Sequence, residues 1–123
     1  MKKEKDWNIK NVKTLDDCMD FVIEAVEEDN LEEWTKLEEN TAIAQAHHNI
    51  GRSIRNSLEL WHNGPPVKYF NNLGIYHADD MSSIILISLH RKYNNKELDV
   101  EGQAKHYIDY WEKVDPKVNK GKK

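Results

Sequence analysis

Residues 41–62 read TAIAQAHHNIGRSIRNSLELWH and carry an apolar stripe at helical spacing over almost their whole length. The members of the stripe recur every three or four residues: Ile43, His47, Ile50, Ile54, Leu58 and Trp61. Thr41 is a suitable N-cap, and Asn63-Gly64-Pro65-Pro66 stops a helix firmly. We therefore predict a long helix over residues 42–62.

The flanking segments show the same periodicity. A first helix is expected over residues 15–28, with Thr14 as N-cap, followed by a shorter one around Leu31 and Trp34. A short helical piece at 67–73 leads to a fourth helix from Asp79 or Asp80 to Tyr93, and a fifth covers 99–114. Residues 84–87, Ile-Ile-Leu-Ile, could form a buried strand, but no second strand exists to pair with it. The predicted fold class is all-α, a compact bundle of about five helices.

The length of 123 residues suits one domain, and neither a linker nor an internal repeat is visible. We expect residues 1–123 to form a single helical domain, with an ordered core at 7–114 and a Lys-rich tail at 116–123. The lone cysteine, Cys18, lies on an apolar helix face and is read as a small core residue. The four tryptophans fall at or near apolar helical positions and are expected in the core: Trp7, Trp34, Trp61 and Trp111.

Hydropathy and charge restrict location and partners. No run approaches 18 apolar residues, as a membrane span would need, and residues 1–7 lack the apolar stretch of a signal peptide, so a cytoplasmic location is expected. Residues 15–39, here called the acidic hairpin, hold eleven acids and one base, a net charge of −10 in a chain of −4. This balance does not favour nucleic acid, whereas a basic protein partner would be attracted to the hairpin.

A first polar cluster lies beside the apolar stripe of the third helix. His48 and Arg55 flank Gly51, one turn to each side. A glycine inside a helix is unfavourable by about 1 kcal/mol relative to alanine, so close approach of another backbone is expected there. Arg55 offers a planar fork of donors for a carboxylate or a phosphate. It could pair with Asp79 or Asp80 in a structural network, or hold a ligand.

A second cluster runs from Gly74 to Ser83 and combines His77 with Asp79 and Asp80. One aspartate would cap the fourth helix, and the other would be free for Arg55. A metal held by these three residues with His90 lacks any dedicated ligand spacing, so neither a metal nor another cofactor is expected. The two clusters together define a candidate site for a small anionic ligand: His48, Arg55, Asn56, His77, Asp79, Asp80, Ser83 and His90.

These clusters resemble those of a family of small bacterial and phage domains of unknown function. The resemblance rests on His47-His48-x-x-Gly51-x-x-Ile54-Arg55-Asn56 and on the run Asp79–Ser83, Asp-Asp-Met-Ser-Ser. It covers about residues 14–111, and Ala78 stands where members of the family often carry proline. The resemblance implies no activity, but it implies that the two clusters belong together.

Two functional hypotheses follow. No Ser-His-Asp or Cys-His order, Gly-rich phosphate loop or paired-cysteine zinc motif is present, which favours a non-enzymatic binding or interaction domain, such as a phage or mobile-element accessory protein. The alternative is a small hydrolase or transferase for a phosphorylated or nucleotide-like substrate. There Arg55 would hold the anion, and His48 or His90 would move protons.

Overall fold

The computed structural model describes residues 9–114, so the expectations for Trp7 and for the tail at 116–123 concern residues outside that range. A short 3-10 helix, Ile9–Asn11, comes before the first α-helix. The α-helices in chain order are α1 (Leu15–Ala25), α2 (Glu28–Thr35), α3 (Glu39–His47), α4 (Ile50–Ser57), α5 (Val67–Asn72), α6 (Ala78–Tyr93) and α7 (Val100–Val114). Within residues 9–114 no strand occurs, so the all-α prediction is confirmed, whereas the number of about five helices is wrong: there are seven.

The predicted long helix over 42–62 is wrong, because two interruptions divide that segment. Asn49 has φ −109° and ψ −91°, outside the helical region, and separates α3 from α4. Glu59 has φ +54° and follows α4. The N–H of Leu60 then donates to the carbonyl of Arg55 at 2.9 Å, and that of Glu59 to Asn56 at 3.2 Å. These two bonds form a Schellman motif, in which glycine usually occupies the left-handed position. Here Glu59 occupies it, so the sequence did not indicate that the helix ends there.

The caps were predicted with mixed success. Thr14 is the N-cap of α1 and forms a reciprocal capping box with Asp17, as predicted for the cap. Thr41 is not the cap of α3, because Glu38 lies before that helix and accepts from the N–H of Thr41 at 3.2 Å. The expected aspartate cap of α6 is also wrong. His77 is the N-cap there and makes no side-chain capping bond.

Helix α6 occupies the centre of the molecule and contacts α1, α3, α4 and α7. Nine of its sixteen residues are buried, including Ile85 and Leu89. Burial on all sides explains the near-continuous apolar run that resembled a strand in the sequence. Among the described helices, none combines the length and the apolar character that crossing a bilayer requires.

Three side chains expected in the core differ in how far the structure buries them. Cys18 is fully buried, and its burial raises the pKa of the thiol to about 12, which fits the predicted small core residue and disfavours a nucleophile. Trp34 is buried, and its Nε1–H donates to the carbonyl of Ala42 at 2.8 Å. The core prediction for Trp61 is wrong, because its side chain is 54% exposed. Helix α4 ends at Ser57, so Trp61 lies outside the helix in which it was expected.

Candidate functional site

Arg55 joins three segments from inside the molecule. Its side chain is 4% exposed, its Nη1–H donates to Ser82 Oγ at 2.9 Å, and its Nη2–H donates to the carbonyl of His47 at 3.2 Å. Its Nε lies 3.3 Å from Asp79 Oδ1, although without the alignment of a hydrogen bond. The predicted contact between Arg55 and one of the two aspartates is therefore confirmed. The guanidinium ties the end of α3 and the body of α4 to the start of α6.

Gly51 leaves room for the guanidinium of Arg55 and for the carbonyl of Ala46. A Cβ on Gly51 would lie 3.1 Å from the carbonyl oxygen of Ala46 and 3.1 Å from Arg55 Nη1, tighter than ordinary contact. The close neighbours are thus the preceding turn and the guanidinium, with the side chain of Leu86 at 3.6 Å. The backbone that approaches Gly51 closely is therefore that of α3.

His77 and Asp80 meet a residue that the sequence analysis assigned to the core. The rings of His77 and Trp111 stack with centroids 4.0 Å apart and planes 21° apart. The Nε1–H of Trp111 donates to Asp80 Oδ2 at 2.8 Å. Burial raises the pKa of Asp80, and the bond from Trp111 and the nearby His77 oppose that shift only in part. This group fastens α7 to the start of α6, while Nε2 of His77 is buried and has no hydrogen-bond partner within residues 9–114.

The remaining members of the candidate site do not converge with Arg55. His48 and Asn56 are exposed, and the ring of His48 packs edge-on against that of His47. Ser83 lies near Tyr107 of α7, and its hydroxyl opposes the rise that burial gives the pKa of Tyr107. His90 is buried: its Nε2 lies 3.0 Å from the carbonyl oxygen of Leu37, and its ring meets Trp34 edge-on. The cluster is spread over several surfaces, and binding of a small anion by these residues stays a prediction.

An ion pair that the sequence analysis did not single out joins α3 to α6. Arg91 Nε–H donates to Glu39 Oε1 at 2.9 Å and Arg91 Nη2–H to Glu39 Oε2 at 3.2 Å, a bidentate arrangement. Arg91 Nη1–H donates to the carbonyl of Leu98 at 2.8 Å. These bonds lower the pKa of Glu39 and keep it ionised. Residues so far apart in sequence carry no local signal for such a pair.

A groove runs along the inner edge of the acidic hairpin. One cavity of about 410 Å³ lies between α1 and α4, and a second of about 460 Å³ lies between α2, α3 and the start of α4. Asn49 and Ile50 line both cavities, so the two adjoin. We call this surface the acidic groove, and its apolar lining comprises Phe21, Val22, Ala25, Val26, Trp34, Leu37, Ala46, Ile50 and Ile54.

The described residues are therefore all helical in their regular structure and pack around one buried helix, α6. The family model described as a domain of unknown function, DUF6794, matches residues 13–93. The chain belongs to that family. Neither the curated proteins nor the solved structures gave a match. The matched segment contains Arg55, Ser82 and Asp79, and it ends at the last residue of α6.

Proposed function

We propose that this protein is a non-catalytic interaction domain that holds a basic amphipathic helix of a partner protein in the acidic groove. The observation that carries the proposal is the coincidence of two features. The groove has an apolar floor, and it lies against the segment that concentrates eleven of the 22 acids of the chain. An amphipathic helix docks with its apolar face in such a groove and its polar face toward the rim.

Two acids are placed to meet a basic rim. Glu33 lines the second cavity, and Glu24 lies one helical turn beyond Phe21 on α1. Glu33 is exposed and Glu24 is partly exposed. Lysine or arginine side chains on the partner would be drawn to this edge, and the attraction would raise the association rate at low salt.

The state of Arg55 supports a binding role over the hydrolase or transferase alternative. Its side chain is 4% exposed, two of its N–H groups donate to Ser82 and the carbonyl of His47, and its Nε lies beside Asp79. An anionic substrate would have to displace these internal partners, which would leave buried polar groups without hydrogen bonds. A cytoplasmic location and a role as a phage or mobile-element accessory protein stay predictions.

The experiment uses a synthetic helical peptide of leucine and lysine, about 14 residues or four turns long, with a fluorescent label. A matched peptide carries glutamate in place of lysine. We expect the lysine peptide to bind in an anisotropy titration and the glutamate peptide not to bind. Ile50→Ser, which removes apolar floor at the junction of the two cavities, should weaken binding at least about tenfold, equivalent to 1.4 kcal/mol.

Charge variants distinguish docking in the acidic groove from attraction of the peptide by the net negative charge of the chain. Replacing Glu24 and Glu33 by glutamine should weaken binding and flatten its salt dependence. Replacing the exposed Glu97 and Glu112, which lie before and on α7, removes the same charge and should change binding little. Equal effects of the two double variants, or no binding of the lysine peptide, would overturn the proposal. Tighter binding after Lys117, Lys120, Lys122 and Lys123 are changed to serine would assign the groove to the chain's own tail instead.

A further inference from the structure

A third cavity, of about 620 Å³, lies on the other side of α3, between α3, α6 and α7. Its size falls in the range of small-molecule sites. Ile43 and Ile87 supply apolar walls, and the rings of His47, His106 and Tyr107 complete its lining. None of the eight residues of the sequence-predicted site lines this cavity. It is also separate from the acidic groove.

The charged side chains that line this cavity carry one more negative than positive charge, and Lys96, outside the lining, also acts on Glu39. Arg91 lines it, but Glu39 neutralises that guanidinium through two hydrogen bonds. Asp99 is a further acid in the lining, and its charge helps to raise the pKa of Arg91. With the histidines neutral, the sum over Glu39, Arg91 and Asp99 is therefore −1. A cation is favoured over an anion in such a site.

The carboxylate of Asp99 is held in place by the start of α7. Its Oδ1 accepts from the N–H of Gly102 at 3.1 Å. A Cβ at position 102, the third residue of α7, would meet this carboxylate, so a side chain there would require the carboxylate to move. The cap occupies Oδ1 and leaves Oδ2 able to accept from a further donor.

Gln103 adds an acceptor without a partner. Its side chain is only 7% exposed, and its Nε2 donates to Ser88 Oγ at 3.1 Å and to the carbonyl of Leu98 at 2.9 Å. The Leu98 carbonyl requires a donor, so this pair of bonds fixes which end of the amide is oxygen. Oε1 is buried and has no hydrogen-bond partner among the described residues. A buried acceptor of this kind is costly unless a donor reaches it.

We propose that the α3–α6–α7 cavity binds a small organic cation, a primary amine on a flat apolar body. The ammonium group would donate to Asp99 and, after a small shift of the Gln103 side chain, to its Oε1. The apolar body would lie against Ile43, Ile87 and Tyr107, where an aromatic ring also favours a nearby cation. This inference does not depend on the acidic groove or on its occupant.

The test titrates the full chain with tryptamine, with tyramine, and with indole-3-propionate as the anionic counterpart of tryptamine. Two-dimensional NMR follows the side-chain amide of Gln103 and the methyl groups of Ile43 and Ile87. We expect at least one amine to shift these signals saturably, and the anion to leave them unchanged. Absence of binding by both amines, equal binding of the anion, or shifts confined to other surfaces would overturn the proposal.

Two variants and a control make the result specific. Asp99→Asn keeps a good N-cap and should reduce amine affinity at least about tenfold. Ala44→Phe fills the cavity from an exposed position of its lining and should abolish binding. Asp20→Asn removes one charge from an exposed position on α1 and should leave the affinity unchanged. If Asp99→Asn and Asp20→Asn have the same effect, the attraction is not local and the site assignment fails.

Discussion

Arg55 is a buried charge whose partners are mostly uncharged. A hydroxyl and a main-chain carbonyl accept its two hydrogen bonds, whereas the carboxylate of Asp79 is 55% exposed and less well aligned. Water can therefore solvate Asp79 if the guanidinium is lost. The residue acts as a hydrogen-bonded support between helices more than as half of an ion pair.

The stability of two variants should differ accordingly. Arg55→Ala should lower the free energy of unfolding by about 2–3 kcal/mol, because it removes two buried charge-assisted hydrogen bonds. Asp79→Asn should lower it by about 1 kcal/mol or less, because the lost partner is largely exposed. Urea denaturation of both variants beside the parent measures the difference. Equal losses would show that the ion pair, and not the pair of hydrogen bonds, stabilises this junction.

Two carboxylates should give opposite pH dependences. Burial raises the pKa of Asp80 above its ordinary 3.8, so its ionised form is unfavourable in the folded state. Asp80→Asn keeps an acceptor for Trp111 and should increase stability at neutral pH, a gain that disappears below pH 3.8, where Asp80 is protonated in both states. Arg91 lowers the pKa of Glu39 below its ordinary 4.5. Glu39→Gln should therefore lose about 1 kcal/mol at neutral pH.

The loss in Glu39→Gln should shrink as the pH falls from 4.5 through the lowered pKa, since the parent then loses the same ion pair. Urea titrations of the parent and the two variants from neutral pH down to about pH 3 measure both differences. A stability difference that stays constant with pH for either variant would contradict the assigned cause. The comparison between variants removes the general effect of acid on the fold.

At the scale of the helix, replacing Gly51 by alanine should destabilise the protein, although alanine is the better helix former. An exposed glycine inside a helix usually gains about 1 kcal/mol on replacement by alanine. Here the new methyl group would press on the Ala46 carbonyl and on Arg55 Nη1. Gly51→Ala should therefore destabilise the protein, and less so in an Arg55→Ala background. A double-mutant cycle by chemical denaturation measures this coupling, and strict additivity would contradict it.

The outer edge of α1 and α2 should be dispensable for folding. Glu27, Glu28, Glu32 and Glu33 are all exposed, and the pair formed by Glu33 and Lys36 at 3.8 Å lies on the surface. Replacing the four glutamates by glutamine should change the free energy of unfolding by less than about 1 kcal/mol. Thermal denaturation checks this, with Arg55→Ala as the destabilised reference. A collapse of the helical circular dichroism signal would show that these acids have structural partners.

The elements show how far the sequence could predict this fold. Periodicity located α7 closely, because it has one apolar face. The start of α1 was also located, but the helix predicted over 15–28 ends at Ala25, and Glu28 already belongs to α2. Helix α6 was located by its length, although it is buried on all sides. Periodicity missed the division at Asn49, where no glycine or proline marks a break, and the ending at Glu59, where glutamate adopts the left-handed conformation. The contact between Arg55 and Asp79 could be anticipated from opposite charge. The hydrogen bond from Arg55 to the carbonyl of His47 could not be anticipated, because that carbonyl is available to a side chain only where α3 ends.

On the scale of the whole molecule, α6 should be the most stable element. It contacts four other helices and buries nine of its sixteen residues, whereas α2 buries two of eight. Amides in the middle of α6 should exchange only through global unfolding, and those of α2 and the last turn of α7 should exchange through local opening. Hydrogen–deuterium exchange followed by mass spectrometry measures this order. Faster exchange in α6 than in α1 would contradict a core organised around α6.

The interruption between α3 and α4 has a consequence for how substitutions at the two sites combine. In an unbroken helix the carbonyl of His47 would accept from the N–H of Gly51, but here it accepts from the guanidinium of Arg55. The side chain and the interruption therefore depend on each other. Loss of Arg55 leaves that carbonyl without its partner and makes an uninterrupted helix through residue 49 more competitive. A helix-favouring substitution such as Asn49→Ala should be unfavourable beside Arg55 and better tolerated without it, so the order in which these two changes accumulate matters.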